Sequence, residues 1–175
     1  MPERTSRAAR AQMAALRGRG LLVHASSALV AGRALLFLAP SGGGKSTLAG
    51  RLHVMGHQAM GDDETALIIR EDGRIDALAT MGFQVLFGRP LEVKCAPLAA
   101  VCFLEKGRPI ALVEVGKTYA LYRLFRSLWT PGTASPESVR DLTNAGRIVE
   151  RTRCVIFRWP LEEDPSAPLE ELARS

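Results

Sequence analysis

Apolar positions along the chain fall into short strand-length runs punctuated by glycine-containing turns, with stretches of helical spacing between them. Leu21-Leu-Val-His24 and Ala28-Leu-Val30 read as short strands, with Ala31-Gly32 as the turn after the second. Arg33-Ala-Leu-Leu-Phe-Leu-Ala39 is an apolar run of strand length. Ser46 to Met55 has helical spacing, so a helix is expected over 45–55, with Gly56 as the residue that ends it. Thr65 to Arg70 and Arg74 to Ala79 read as strands, and Asp72-Gly73 between them predicts a two-residue hairpin turn, so the sheet is not purely parallel. Leu98-Ala-Ala-Val-Cys-Phe-Leu104 is continuously apolar, as expected of a strand covered on both faces.

The second half carries more helix. Lys106 to Pro109 reads as a turn and Ile110 to Val115 as a strand. Lys117 to Trp129 predicts a helix with an apolar stripe through Leu121, Leu124, Phe125 and Leu128. Tyr119, Tyr122 and Trp129 are read as packing groups, not as a base-stacking surface. A loop over 130–136 precedes a second helix to Thr152, with Ser135 as its N-cap and Pro136 at the first helical position. Cys154 to Phe157 is a late strand and Leu169 to Arg174 a terminal helix. Residues 3–18 have weak helical character.

Composition narrows the class. At 175 residues and 47% hydrophobic content the chain suits one domain with a sizeable core. No apolar run reaches the roughly 18 residues that cross a bilayer, and the start lacks the order of a secretory signal. The net charge of +5 is mostly local: residues 1–20 hold five arginines against Glu3, leaving the remainder at +1. We divide the chain into a basic arm, 1–19, and a domain, 20–175. The arm reads either as a solvated terminus or as a docking element for an acidic partner or membrane surface. The domain has no basic footprint for nucleic acid. Cys95, Cys102 and Cys154 are odd in number and lack C-x-x-C spacing, which favours free thiols in a reducing cytoplasm.

The chemistry centres on Ala39-Pro-Ser-Gly-Gly-Gly-Lys-Ser-Thr47, which fits a phosphate-binding loop. Glycines let successive backbone N–H groups turn inward towards an anion, and the helix that follows adds its N-terminal N–H groups and dipole. Ser41, Gly42, Gly43, Gly44, Lys45, Ser46 and Thr47 are the candidate nucleotide-binding residues. Lys45 would bridge the β- and γ-phosphates and Ser46 would bind Mg²⁺ through its hydroxyl. A strand before the loop and a helix after it are the context the motif requires. Phosphoryl transfer also needs a carboxylate for the metal and a group that orients or deprotonates the acceptor. Asp62-Asp63 is the candidate, although Gln58-Ala-Met-Gly61 before it is a poor match to a metal-binding strand, and an acidic pair in a turn is often only solvated.

Three segments taken together change that balance. Leu22-Val-His-Ala-Ser26, the glycine loop, and Gly56-His-Gln-Ala-Met-Gly-Asp-Asp-Glu-Thr-Ala-Leu-Ile68 resemble, in order and spacing, the catalytic domain of HPr kinase/phosphorylase and its relatives. Ala96 to Glu105 resembles a segment of HPr-kinase-like proteins from peptide-modification clusters. The resemblance implies a single α/β domain of the HPr-kinase and phosphoenolpyruvate-carboxykinase-like type, with a P-loop on a mixed sheet. It implies ATP and Mg²⁺ as cofactors and a serine hydroxyl of a small protein or peptide as acceptor. Gly42, Gly44, Lys45 and Ser46 would hold nucleotide and metal. One of Asp62 and Asp63 would act as base and the other would help bind Mg²⁺, with Asp63 our candidate metal ligand beside Ser46. His24 would stand near the transferring phosphate and tune the carboxylate; a core-facing histidine is the competing reading.

The bifunctional members of that family carry an N-terminal regulatory domain, which is not expected in this chain. Leu91-Glu-Val-Lys-Cys95 only partly echoes the family's Glu-x-Arg-Gly signature, which favours kinase over phosphorylase chemistry and disfavours HPr itself as substrate. A small-molecule kinase and a non-catalytic nucleotide-binding module remain alternatives, and the family's assemblies leave room for a homo-oligomer.

Overall fold

The computed structural model describes residues 18–79, 93–128 and 136–175. Residues 1–17 of the basic arm, Leu91 and Glu92 of the partial signature, Trp129 and the loop with Ser135 lie outside them. Nine strands and four helices are described: β1 (Gly20–Val23), β2 (Ser26–Val30), β3 (Arg33–Leu38), α1 (Lys45–Val54), β4 (Gln58–Gly61), β5 (Thr65–Ile69), β6 (Ile75–Leu78), β7 (Cys95–Glu105), β8 (Ala111–Glu114), α2 (Lys117–Phe125), α3 (Pro136–Arg151), β9 (Arg153–Arg158) and α4 (Ser166–Arg174). The result is a mixed α/β domain on one curled sheet.

The middle of that sheet is parallel. β7 runs parallel to β3 and to β9, with Phe37 opposite Cys102 and Phe103 opposite Ile156. Antiparallel strands flank the trio: β2 pairs both β3 and β4, and β8 pairs β9. The first residues of the eleven-residue β7 pair instead with β6, which leads through β5 to β1. The sheet therefore folds over along β7 and packs partly on itself.

Two cores follow from strand alternation. On β3, Ala34, Leu36 and Leu38 face one core, shared with Leu21, Val23, Leu67, Val101, Phe103 and the inner sides of α2 and α3. Leu35 and Phe37 face the other, shared with Leu48 and Leu52 of α1 and Leu169 and Leu172 of α4. Residues 34–38 are all at most 1% exposed. Each such side chain is worth roughly 1.5–3 kcal/mol in burial, so β3 is held from both faces as well as both edges.

Several elements differ from the sequence expectation for identifiable reasons. Gln58-Ala-Met-Gly61, too mixed in polarity to read as a strand, pairs with β2. The turn at Asp72-Gly73 is not a two-residue type. Arg70 N–H donates to the Arg74 carbonyl and Gly73 N–H to the Arg70 carbonyl, enclosing three residues. Only Gly73 in this loop takes a positive φ, 84°, whereas a primed two-residue turn would need one at Asp72 as well. The helix from Lys117 stops at Phe125, and of its expected stripe Leu124 is fully buried while Leu121 and Leu128 are partly so. Gly56 does follow α1 with φ 97°, donating to the His53 carbonyl.

The turn between β2 and β3 places Ala31 at φ 48° and Gly32 at φ 79°. Left-handed backbone costs a residue with a Cβ about 1–2 kcal/mol, and asparagine bears it best. Ala31→Asn is expected to raise stability by about 0.5 kcal/mol or more, and Ala31→Val to lower it by about 1 kcal/mol or more. Urea unfolding midpoints of the two variants check this.

Candidate functional site

The loop between β3 and α1 is shaped by its own residues. Gly42 and Gly44 take φ 73° and 94°, so the backbone turns where a Cβ is disfavoured. Gly43 is required for a different reason: a Cβ there would stand 2.5 Å from the Ala39 Cβ and 2.9 Å from the Pro40 carbonyl oxygen. The Gly43 N–H donates to that same carbonyl at 2.9 Å. Lys45, at the first position of α1, is only 6% exposed; its ammonium donates back to the carbonyls of Ala39 at 2.8 Å and Pro40 at 3.4 Å. Burial is the main cause that lowers the Lys45 pKa, opposed by Asp63 and then Asp62. Gly44 caps α1 without a side-chain bond and the first turn holds no acidic residue, so the dipole's positive end is not offset locally. Ser46 and Thr47 are exposed beside it.

The acidic pair arrives on β4. Antiparallel pairing sets Ser27 opposite Gly61, so the next residues out, Ser26 and Asp62, come side by side. Ser26 Oγ donates to Asp62 Oδ1 at 2.7 Å, and both residues are buried. Asp63 is exposed and sits at φ 66°, in left-handed backbone. The two carboxylates therefore differ: Asp62 is held by a hydroxyl, while Asp63 is presented outward from a constrained turn.

His24 follows β1 and is half-buried. Its pKa is lowered, first by burial and then by Lys45, with Asp63 and Asp62 pulling the other way. His24 and Lys45 thus both lie within electrostatic reach of Asp62 and Asp63, and His24 lines one cavity with Ala39, Pro40 and Ser41 of the glycine loop. His57, also within the resembling segment, stands instead 3.8 Å from Glu170 of α4.

A cavity of about 480 Å³ opens between His24 with Leu38, Ala39, Pro40 and Ser41 on one side and Tyr122, Arg123, Arg126, Ser127 and Leu128 on the other. The second wall is tied to the first by backbone: His24 N–H donates to the Ser127 carbonyl at 2.7 Å, and Val23 bridges Leu128. Sequence reading missed Ser26, Arg123 and Arg126. The arginines' three-residue spacing, which puts them on one helix face, was the available signal; the Ser26–Asp62 contact depends on strand register and left none. Among the described residues, no group of three or more His, Cys, Asp and Glu stands together to hold a metal. A hydroxyl and one carboxylate suit Mg²⁺, which keeps much of its shell in water and phosphate oxygens.

Strand, glycine loop and helix define a mixed α/β protein with a candidate anion-binding site. The chain belongs to the family described as SynChlorMet cassette protein ScmC, whose model matches residues 9–133. The matching model is thus not that of the HPr kinases, which the motifs resemble. Among solved structures the chain is similar to the HPr(Ser) kinase/phosphatase from Coxiella burnetii, at 15% identity over 87% of this chain and 93% of that one, with a TM-score of 0.49. No curated protein matches it. Among the described residues, no helix is long and apolar enough to cross a membrane.

Two outcomes are expected. Gly43→Ala should cost about 1–3 kcal/mol through overlap, and adding Ala39→Gly should recover part of it, as thermal unfolding of the single and double variants would show. The His24 imidazole, lowered in the folded state, binds protons more readily when unfolded. Its contribution to stability is complete above its ordinary value of 6.5 and is lost as pH falls towards the lowered one. Between about pH 7.5 and about pH 5.5 the wild type should therefore lose more Tm than His24→Gln.

Proposed function

We propose that the chain is an ATP- and Mg²⁺-dependent kinase that phosphorylates a serine hydroxyl of a small protein or peptide, on a P-loop domain of the HPr-kinase and phosphoenolpyruvate-carboxykinase-like type. What supports this reading is that Lys45 of the glycine loop and His24 both feel the charges of Asp62 and Asp63, that Ser26 holds Asp62 at 2.7 Å, and that His24 lines one cavity with Ala39, Pro40 and Ser41. A loop that only bound nucleotide would need no acid pair beside its lysine. The free thiols suit the cytoplasm as its location.

Each group has a role. Backbone N–H groups of Gly42, Gly44 and Lys45 and the start of α1 would cradle the β- and γ-phosphates, with the Gly43 N–H holding the loop's curve. Lys45 would exchange its two carbonyl partners for phosphate oxygens. Ser46 and Asp63 would hold Mg²⁺, Asp63 being the carboxylate presented outward. Asp62, fixed in direction by Ser26, would take the proton of the seryl hydroxyl. His24, kept neutral by burial and Lys45, would position that carboxylate without adding a charge. When bound, ATP supplies the γ-phosphoryl group, which passes to the seryl oxygen as its bond to ADP breaks, and Mg²⁺ offsets the charge that moves to the leaving oxygen.

Lys45→Ala should lower the transfer rate by at least about 3 kcal/mol of barrier, on the order of a hundredfold or more, and weaken ATP binding. Asp62→Asn and Asp63→Asn should each keep most ATP affinity and lose transfer, with Asp63→Asn partly rescued by Mn²⁺ or raised Mg²⁺ and Asp62→Asn not. Single-turnover transfer from labelled ATP to seryl peptides, with calorimetry in parallel, checks all three. Full transfer by both Asn variants would end the kinase reading.

A further inference from the structure

The cavity beside the loop has a charge that the kinase reading does not use. Lys45 reaches back to Ala39 and Pro40, and those two residues line the cavity. The end of the loop where a terminal phosphate would lie therefore faces this space, and an acceptor hydroxyl would stand at its His24 end, where the charges of Asp62 and Asp63 reach. The cavity's described lining includes Arg123, Arg126 and His24 but no carboxylate.

The two arginines are not equivalent. Arg123 is engaged: its guanidinium lies 5.2 Å from the Phe103 ring centre and 5.4 Å from that of Tyr119, and it donates to the Tyr119 hydroxyl. Arg126, one turn on, is exposed, and no ion pair holds it among the described residues. Its backbone is nonetheless fixed. Arg126 N–H donates to the Tyr122 carbonyl, and the next residue, Ser127, accepts from the His24 N–H. A guanidinium on a backbone anchored to the candidate catalytic histidine, facing a space with no carboxylate among its described lining residues, is arranged for bidentate recognition of an acid.

We propose that the cavity is the acceptor site and that Arg126 reads a carboxylate close to the serine that receives phosphate, so that the substrate is an acidic seryl peptide. This rests on the kinase reading for the serine and on the cavity for the acid. A peptide is favoured over a free amino acid by the wall itself: Tyr122 is 60% exposed at the cavity and offers a flat apolar shelf to chain flanking the serine. A lone amino acid would leave it uncovered.

The test uses the full chain with a non-hydrolysable ATP analogue and Mg²⁺. The probes are short peptides with one serine and a single glutamate at successive positions on either side, with glutamine versions as controls. At least one glutamate peptide should bind about tenfold or more tightly than its glutamine control, as expected for a charge-assisted pair. Arg126→Ala should remove the preference and leave ATP affinity unchanged, and Arg126→Glu should shift it to lysine peptides. Equal binding of glutamate and glutamine peptides overturns the proposal. So does a preference that survives Arg126→Ala, or a loss of ATP affinity in that variant, which would place the arginine on the nucleotide. Phosphorylation of free L-serine in preference to every peptide also overturns it. Transfer measured alongside separates the two readings: an acidic peptide bound through Arg126 but never phosphorylated ends the kinase reading and leaves the acid site standing.

Discussion

The structure depends on the burial of β3 from every direction. Its odd and even side chains fill different cores, its edges pair with β2 and β7, and none of Ala34 to Leu38 has room to move. A slip of one residue would exchange Leu36 for Phe37 between two close-packed cores, so the register is fixed. The glycine loop leaves the end of this strand and starts α1, whose Leu48 and Leu52 return to the same core as Phe37. The loop's two ends are thus set by packing, and only its interior is free to be shaped by glycine.

The rest of the site is brought to that loop by antiparallel pairing. β2 lies between β3 and β4, so a carboxylate at the end of β4 arrives beside the loop with one strand between them. β1 reaches the same place through β5, because Ser27 and Thr65 share a hydrogen bond of 3.0 Å that links the two halves of the curled sheet. His24, just past β1, and Asp62, just past β4, therefore come within electrostatic reach of each other without any element being long.

The loop and its flanking strand and helix were legible because the chemistry demands residue types at fixed spacing in one short segment. The doubly covered β7 was legible as an unbroken apolar run, and the free thiols from their number and spacing: Cys102 and Cys154 are buried, and burial pushes the Cys154 thiol up to about 11. β4 was not, because Gln58 and Gly61 dilute a strand whose burial comes from neighbours distant in sequence. The difference between Asp62 and Asp63 was illegible for the same reason. It is made by Ser26, 36 residues earlier, through a register that no local pattern encodes. The cationic wall of α2 combined both cases: the spacing of Arg123 and Arg126 was visible, and the cavity they face was not.

The contacts inside the glycine loop have a consequence for speed and affinity. Gly43 N–H, Lys45 and the Pro40 and Ala39 carbonyls bind one another, so the cradle already has its curve. An anion entering it would meet a preorganised host and would not have to freeze a floppy chain, which spares about 1–2 kcal/mol of backbone entropy for each residue already ordered. What it would have to do is draw the lysine off its own backbone. Association would then be gated by one side-chain exchange, and a small, fast rearrangement would take the place of a folding event.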